Sequence, residues 1–139
     1  MIKTYEKIVS KNNIKLNFHK IDNFKIIGDR DKLIEIFTNL IDNAIKYSEK
    51  NKEVTISSKK EGDLNIVTVT DQGIGIPKEF IHRITERFFT VDPSKSRSVG
   101  GTGLGLAIVK HLVSQHRAEM DISSIENQGT TIDIKFNAL

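Results

Sequence analysis

The sequence contains no cysteine and no tryptophan, and it has only two prolines among 139 residues. Without cysteine, disulfide bonds and thiolate metal sites are excluded. Aromatic residues make up 6% of the chain and are scattered, which disfavours a nucleic-acid surface of interleaved basic and aromatic side chains. No apolar run approaches the roughly 20 residues that span a bilayer, and the N-terminus lacks the apolar core of a signal peptide.

Charge and histidine content narrow the function classes further. The net charge of +3 is a mild excess, with cations and anions interleaved along the chain. The four histidines show no H-E-x-x-H or similar zinc-binding spacing; they are His19, His82, His111 and His116. We therefore expect one domain over residues 1–139, cytoplasmic in character, with no nucleic-acid partner.

Hydrophobic periodicity predicts an α/β sandwich. Strands are expected over 14–18, 24–28, 53–59, 65–70, 120–126 and 130–136, and the turns at 61–63 and 127–129 predict two hairpins. Helices are expected over 29–48 and 102–116, with a shorter one from Pro77 to about Arg87. The predicted fold is a mixed, mainly antiparallel sheet of about five strands, covered on one face by three helices.

A glycine-dense stretch, Gly100-Gly101-Thr102-Gly103-Leu104-Gly105-Leu106, comes directly before an apolar helical pattern. A turn of this kind at the start of a helix leaves backbone N–H groups unpaired and unobstructed, and such donors can hold phosphate oxygens. By itself the stretch is equally compatible with a flexible loop before an amphipathic helix.

Two further segments carry polar residues in unusual places. Asn39, Asn43 and Lys46 fall on one side of the predicted helix, although asparagine disfavours helix interiors; amide oxygens can ligate Mg²⁺ and lysine can neutralise phosphate. Asp71 ends a strand and begins the loop 71–77, where its carboxylate can accept a hydrogen bond from an exocyclic amine of a base. Taken singly, these segments are also explained by a solvated helix edge and a turn-capping aspartate.

The three segments in this order are much more specific to one protein family than any one of them alone. The order Asn-x-x-x-Asn-Ala-x-Lys-Tyr-Ser, Asp-x-Gly-x-Gly-Ile-Pro and Gly-Thr-Gly-Leu-Gly-Leu resembles the ATP-binding catalytic domain of sensor histidine kinases. That domain belongs to the Bergerat-fold, or GHKL, superfamily, together with DNA gyrase, the Hsp90 chaperones and the MutL repair proteins. The resemblance extends from about Ile14 to Phe136.

The resemblance implies a role for each matching residue, with ATP and Mg²⁺ as cofactors. Asn43 would coordinate Mg²⁺, Asn39 and Lys46 would face the phosphates, and Asp71 would bind the adenine amine. The remaining expected nucleotide contacts are Tyr47, Gly73, Gly75, Ile76, Gly101, Thr102, Gly103, Leu104, Gly105, Leu106 and Thr130.

The segment before the third motif resembles the family's F box and ATP lid. Glu86-Arg87-Phe88-Phe89 matches the F box, and residues 89–100 would be the lid, from which Lys95 or the catalytic candidate Arg97 can reach the phosphates. Thr85 departs from the family pattern because it replaces an aromatic residue at the base of the lid. His82 is expected to be a surface residue.

None of the histidines has the context of the family's phosphoacceptor. The chain is therefore expected to begin just after the phosphoacceptor hairpin, with residues 1–11 as a lead-in. The resemblance implies phosphotransfer to a histidine of that hairpin and onward to a response regulator. It also implies a monomeric fragment of a membrane-bound, homodimeric kinase. The alternatives are a Bergerat-fold ATPase and a degenerate nucleotide-binding module. The ATPase relatives have a general-base glutamate where this chain has Asn39, which cannot act as a base.

Overall fold

The computed structural model describes residues 14–22, 25–48, 52–87 and 105–138. Within them, five strands form one sheet in the order β1-β2-β3-β5-β4. The strands are β1 (Lys15–Ile21), β2 (Glu53–Glu61), β3 (Leu64–Thr70), β4 (Glu119–Ile125) and β5 (Gly129–Asn137). β1 runs parallel to β2, and the other neighbouring pairs are antiparallel. The predicted mixed, mainly antiparallel sheet is confirmed.

Both predicted hairpins are present. Glu61 pairs with Leu64 across a two-residue turn in which Gly62 has φ +59°, a left-handed conformation that glycine adopts without a steric penalty. Ile125 pairs with Gly129 at the second turn, where Asn127 has φ +66°. The turn of the second hairpin lies beside the 71–77 loop.

Two α-helices, α1 (Arg30–Tyr47) and α2 (Gly105–Gln115), supply the other layer of the described core. The helix predicted over 29–48 is confirmed at its start, since the Asp29 carboxylate accepts from the Lys32 N–H at 3.1 Å and so caps α1. The helices bury apolar stripes against one face of β2, β3 and β5; the buried stripe residues are Ile36, Leu40, Ile41, Ala44, Ile45, Val109, Leu112 and Val113.

The opposite face of the sheet is polar. The Thr68 hydroxyl donates to Asp133 at 2.6 Å, and Lys135 pairs with Asp121 at 2.5 Å. Threonines, serines and charged residues alternate along the strands with the apolar residues of the core face, as in a sheet that has only one face covered by helices.

The strand predicted over 24–28 is wrong for its described residues, 25–28, which lie in no strand. This segment leaves the sheet and crosses to the helix layer: Ile26 packs against the core while Ile27 is 82% exposed. Gly28 then packs against the imidazole of His116, since a Cβ on Gly28 would lie 2.6 Å from the ring Cδ2. A partner 88 positions away along the chain thus overrides the local strand pattern.

The helix predicted from Pro77 to about Arg87 is also wrong. Only a 3₁₀-helix, Lys78–Phe80, forms there, and turns follow it. Pro77 does mark a helical start, because its carbonyl accepts from the Phe80 N–H at 2.9 Å. The segment buries one apolar side chain, Ile84, instead of a stripe, so packing does not sustain a longer α-helix.

α1 and α2 lie antiparallel, and the start of α1 is hydrogen-bonded to the end of α2 through His116. The Asp29 N–H donates to His116 Nε2 at 3.2 Å, and His116 Nδ1 lies 2.7 Å from the Leu112 carbonyl. Lys32 Nζ also donates to the Gln115 side chain at 3.3 Å. We call this contact between the start of α1 and the end of α2 the helix joint.

Candidate functional site

Asp71, directly after β3, is held in place by the last strand of the sheet. Its carboxylate Oδ1 accepts from the Gly73 N–H at 2.9 Å and from the Thr130 N–H at 3.2 Å. Its own N–H donates to the Thr130 carbonyl at 2.9 Å. Oδ2 forms no hydrogen bond to another residue in the described part of the chain. One carboxylate oxygen therefore fixes the side chain, and the other is available to a ligand.

Partial burial changes the acid strength of this carboxylate. Loss of hydration raises the pKa of Asp71 above its ordinary value, and the hydrogen bonds from Gly73 and Thr130 act in the opposite direction without cancelling the effect. A carboxylate withdrawn from water gains more from a donor than an exposed one does. The position predicted to bind a base amine thus carries an acceptor that lacks part of its hydration.

Two glycines of the 71–77 loop are required by the protein's own backbone. A Cβ on Gly73 would overlap the Tyr47 carbonyl, and a Cβ on Gly75 would overlap the Ile125 carbonyl. Gly75 also has φ +69°, which disfavours any L side chain. The sequence suggested that these glycines admit a ring close to the backbone; the structure shows that the loop itself is squeezed between two other segments.

The same loop is hydrogen-bonded on both sides. On the side of α1, Ser48 and Gly73 form an isolated antiparallel β-bridge, and the Ile74 N–H donates to the Tyr47 carbonyl at 3.3 Å. Towards the β4–β5 turn, the Asn127 N–H donates to the Ile74 carbonyl at 2.7 Å. The loop that carries Asp71 therefore links the end of the asparagine-bearing helix to the last hairpin.

Asn39 connects the first motif to the third. Its Nδ2 donates to the Glu35 carbonyl one turn earlier at 3.0 Å. Its Oδ1 lies 3.7 Å from the place that a Cβ on Gly105 would occupy. The structure thus places the predicted phosphate-facing asparagine beside the first residue of α2, so two segments 66 positions apart in sequence meet at one end of the helix pair.

The other predicted residues of α1 have different surroundings. Asn43 is half-buried, and its amide makes no hydrogen bond to another described residue. Lys46 Nζ pairs with Asp42 Oδ2 at 3.0 Å, with the two side chains about one-third exposed. Ion pairs of that exposure contribute at most about 1 kcal/mol, so a polyphosphate can compete with Asp42 for this ammonium. Tyr47 is half-buried, with its carbonyl against Gly73.

Several predicted residues fall outside the described part of the chain: Lys95, Arg97, Gly101, Thr102, Gly103, Leu104, Phe88 and Phe89. Their predicted roles stay predictions. Of the described neighbours, Gly105 and Leu106 begin α2, Thr85 is half-buried in the turns after the 3₁₀-helix, and His82 is exposed as predicted.

Ser124 is a residue of this region that the sequence did not single out. Its hydroxyl lies 2.8 Å from the Ile76 nitrogen, 2.9 Å from the Gly129 carbonyl and 2.9 Å from Thr130 Oγ1. A serine in an alternating strand gives no sequence signal, because most such residues are solvated. In the structure Ser124 ties the 71–77 loop to the strand that holds Asp71.

A cleft of about 540 Å³ opens at the other end of the helix pair, beside the helix joint. Its lining includes Gly28, Lys32 and His116, and none of the predicted site residues. Because the cleft lies at the opposite end of the helix pair and is lined by none of the predicted nucleotide contacts, it is not the candidate site. Among the described residues, no cluster of three or more His, Asp or Glu side chains could hold a metal, and no helix is long and apolar enough to cross a membrane.

A family model described as histidine kinase-, DNA gyrase B- and HSP90-like ATPase matches residues 28–138. The chain belongs to this family. The resemblance inferred from the three motifs is confirmed, and the α/β sandwich is the fold of its solved relatives. The order of the three motifs is specific enough to identify the family, and the hydrogen bonds of Asp71 join the second motif to β5.

Named relatives are sensor histidine kinases. The chain is 43% identical over 111 residues to the sensor-like histidine kinase SenX3 of Mycolicibacterium smegmatis, which is 80% of this chain and 29% of that protein. It is 44% identical over 106 residues to the sensor histidine kinase WalK of Bacillus subtilis, 75% of this chain and 17% of that protein. The chain therefore spans less than one-third of the length of these relatives.

Solved structures that resemble this chain are also histidine kinases. The mycobacterial sensor histidine kinase MprB superposes with a TM-score of 0.81 at 29% identity, over 98% of this chain and 90% of that one. The catalytic domain of histidine kinase ThkA superposes with a TM-score of 0.82 at 28% identity, over 97% and 86%. Relatives of known structure thus share nearly the whole fold.

Proposed function

We propose that this chain binds Mg-ATP and transfers the γ-phosphoryl group to a histidine on a separate helical domain, as the catalytic part of a two-component sensor kinase. The observation that carries the proposal is the geometry of Asp71. One oxygen accepts from the Gly73 and Thr130 N–H groups, and the other makes no hydrogen bond to a described residue. A base that donates a hydrogen bond from an exocyclic amine fits this acceptor.

The residues of α1 fit the phosphate end of the nucleotide. The Asn43 amide has no other partner among the described residues, so its oxygen is available to a hard cation. Lys46 offers a positive charge whose partner among the described residues is Asp42, in a surface ion pair. Magnesium, when bound with ATP, neutralises phosphate charge and supplies electrophilic assistance.

The proposed reaction needs positioning more than covalent chemistry from this chain. A nitrogen of the acceptor imidazole forms a bond to the γ-phosphorus while the bond from that phosphorus to the bridging oxygen breaks, and ADP leaves. Lys46, Asn39 and, from the segment outside the described residues, Arg97 would hold the phosphates for this displacement. The acceptor lies on a partner domain, and a response regulator would receive the phosphoryl group afterwards.

Hydrolysis in the manner of the gyrase and Hsp90 relatives is the second candidate. Against it stands Asn39, the position of the base in those relatives, whose amide donates to the Glu35 carbonyl. An amide has no basic lone pair at neutral pH, so it cannot activate water. The isolated chain is therefore expected to release phosphate from ATP negligibly.

The test combines the purified chain, labelled Mg-ATP and a separate phosphoacceptor hairpin from a sensor kinase relative. We expect acid-labile, base-stable label on the hairpin histidine and no label on this chain. Asp71→Asn is expected to abolish the transfer, while Asp121→Asn, an exposed carboxylate on the polar sheet face, is the matched control. Brisk phosphate release without the hairpin would favour the ATPase, and stable label on His19 would contradict the proposed separation of acceptor and catalytic domain.

A further inference from the structure

The Ser124 hydroxyl contacts three hydrogen-bonding groups, and these determine the direction in which its hydrogen points. The Ile76 N–H can only donate, and the Gly129 carbonyl can only accept. Ser124 must therefore accept from Ile76 and use its single hydrogen for Gly129. One lone pair of the Ser124 oxygen then remains.

The third contact is consequently fixed in direction. Thr130 Oγ1 lies 2.9 Å from Ser124 Oγ, a distance at which either hydroxyl could donate. Because the Ser124 hydrogen is bound to the Gly129 carbonyl, Thr130 must be the donor. This is the one arrangement in which all three contacts are hydrogen bonds, and it uses every donor and acceptor position of the serine hydroxyl.

The fixed direction changes what Thr130 can offer to a ligand. With its hydrogen bound to Ser124, the Thr130 oxygen presents only lone pairs. Thr130 is also a direct neighbour of Asp71, since its N–H donates to Asp71 Oδ1 at 3.2 Å. Asp71 Oδ2, which makes no hydrogen bond to a described residue, is an acceptor as well. The neighbouring residues Asp71 and Thr130 therefore each carry an acceptor, and the Thr130 hydroxyl cannot reverse its direction while its hydrogen is bound to Ser124.

We propose that Ser124 is a positioning residue for base specificity: by holding the Thr130 hydrogen, it makes the site accept a 6-amino purine and reject a 6-oxo purine. The inference rests on the proposed function, namely that a purine amine binds at Asp71. An exocyclic amine supplies donors to both acceptors. A 6-oxo group sets its lone pairs against those of Asp71 and Thr130, and a free threonine hydroxyl would relieve part of this repulsion by rotating to donate.

The experiment measures equilibrium binding of Mg-ATP and Mg-ITP by calorimetry, without phosphotransfer. The intact chain is expected to prefer ATP. Ser124→Ala frees the Thr130 hydrogen, so the ATP:ITP affinity ratio is expected to fall about tenfold, the usual effect of one shielded hydrogen bond gained. Ser123→Ala, the exposed neighbour on β4, is the matched control and is expected to leave the ratio unchanged.

A double-mutant comparison separates specificity from simple support of the loop. Thr130→Val removes the hydroxyl, so it is expected to lower the ratio by less than Ser124→Ala does, because no donor replaces the lost acceptor. Adding Ser124→Ala to Thr130→Val is expected to lower the ratio no further. If Ser124→Ala weakens ATP and ITP equally, or if the second substitution acts independently, the inference is overturned.

Two results keep this inference distinct from the proposed function. Should Ser124→Ala fail to give a cooperative thermal transition, Thr130→Val alone decides, and an unchanged ratio in that variant overturns the inference. Tight ATP binding that depends on Asp71, with a ratio indifferent to Ser124 and Thr130, leaves the proposed function standing and removes only the specificity role. Absence of binding to either nucleotide by the intact chain overturns both.

Discussion

The two ends of the antiparallel helix pair use similar groups for different purposes. At the helix joint, Asp29 caps α1 from an exposed position, and both ring nitrogens of His116 have partners within the protein. At the opposite end, Asp71 is withdrawn from water, and one of its oxygens has no partner among the described residues. A joint satisfies its own polar groups, whereas a binding site keeps some unsatisfied until a ligand arrives.

The largest expected effect tests this difference at Asp71. In Asp71→Asn the amide oxygen must face Gly73 and Thr130, which both donate, so the amide NH₂ replaces the free acceptor. A base amine would then meet another donor, and ATP affinity is expected to fall by at least about a thousandfold, or about 4 kcal/mol. Isothermal calorimetry measures this loss; unchanged affinity would remove Asp71 from the site. His116→Ala, at the other end, is expected to bind ATP normally.

The next effect concerns backbone crowding at the site end. Gly75→Ala combines a left-handed φ with overlap of the Ile125 carbonyl, whereas Gly62→Ala has a similar φ and no atom within 4 Å of the new Cβ. The expected losses in the free energy of unfolding are about 3 kcal/mol and about 1 kcal/mol, respectively. Urea denaturation of both variants gives the comparison. Equal losses would mean that backbone conformation alone, and not the contact with β4, requires Gly75.

A smaller effect is expected at the helix joint. Asp29 supplies an N–H and Leu112 a carbonyl, so the His116 ring must be the neutral tautomer with its hydrogen on Nδ1. Two-dimensional ¹⁵N–¹H NMR of the ring is expected to show that tautomer. His116→Ala should lower the free energy of unfolding by about 1–3 kcal/mol. Observation of the Nε2–H tautomer would contradict the hydrogen bond from Asp29.

The smallest expected effect is the pH dependence caused by Asp71. Burial raises its pKa in the folded chain above the ordinary 3.8, so the unfolded chain loses this proton at a lower pH than the folded chain does. The stability that protonated Asp71 contributes is present below about pH 4 and is lost as pH rises through the folded pKa. The unfolding free energy of the unliganded chain, minus that of Asp71→Asn, should therefore decrease with rising pH. An increase over that window would contradict a raised pKa.

Local signals explain what the sequence could predict. α1 was predicted within a residue at each end because Asp29 provides a cap and the apolar stripe repeats at helical spacing. The hairpin at Gly62 was predicted because the turn and both strands are contiguous. The three motifs identified the family because their order is specific, although each alone has an ordinary structural explanation.

Contacts between distant segments explain what the sequence could not predict. The strand pattern at 24–28 gave no sign that Gly28 packs against His116, and Pro77 marked a helical start without showing that a buried stripe is missing. Ser124 resembled a surface residue because its role depends on Ile76, 48 positions earlier, and on the turn that follows it. Gly73 and Gly75 were predicted to contact a nucleotide, and that role stays a prediction; their nearest neighbours, Tyr47 and Ile125, are known only from the fold.

The hydrogen bonds between Asp71 and Thr130 have a consequence for folding during synthesis on the ribosome. By the time residue 125 is synthesised, every motif residue except Thr130 already exists. Asp71 still lacks both of its hydrogen bonds to Thr130, and β3 still lacks β5, the strand that pairs with it on the side away from β2. The proposed base-binding corner is therefore completed only after β5 has been synthesised, so a chain that ends before β5 is expected not to bind nucleotide.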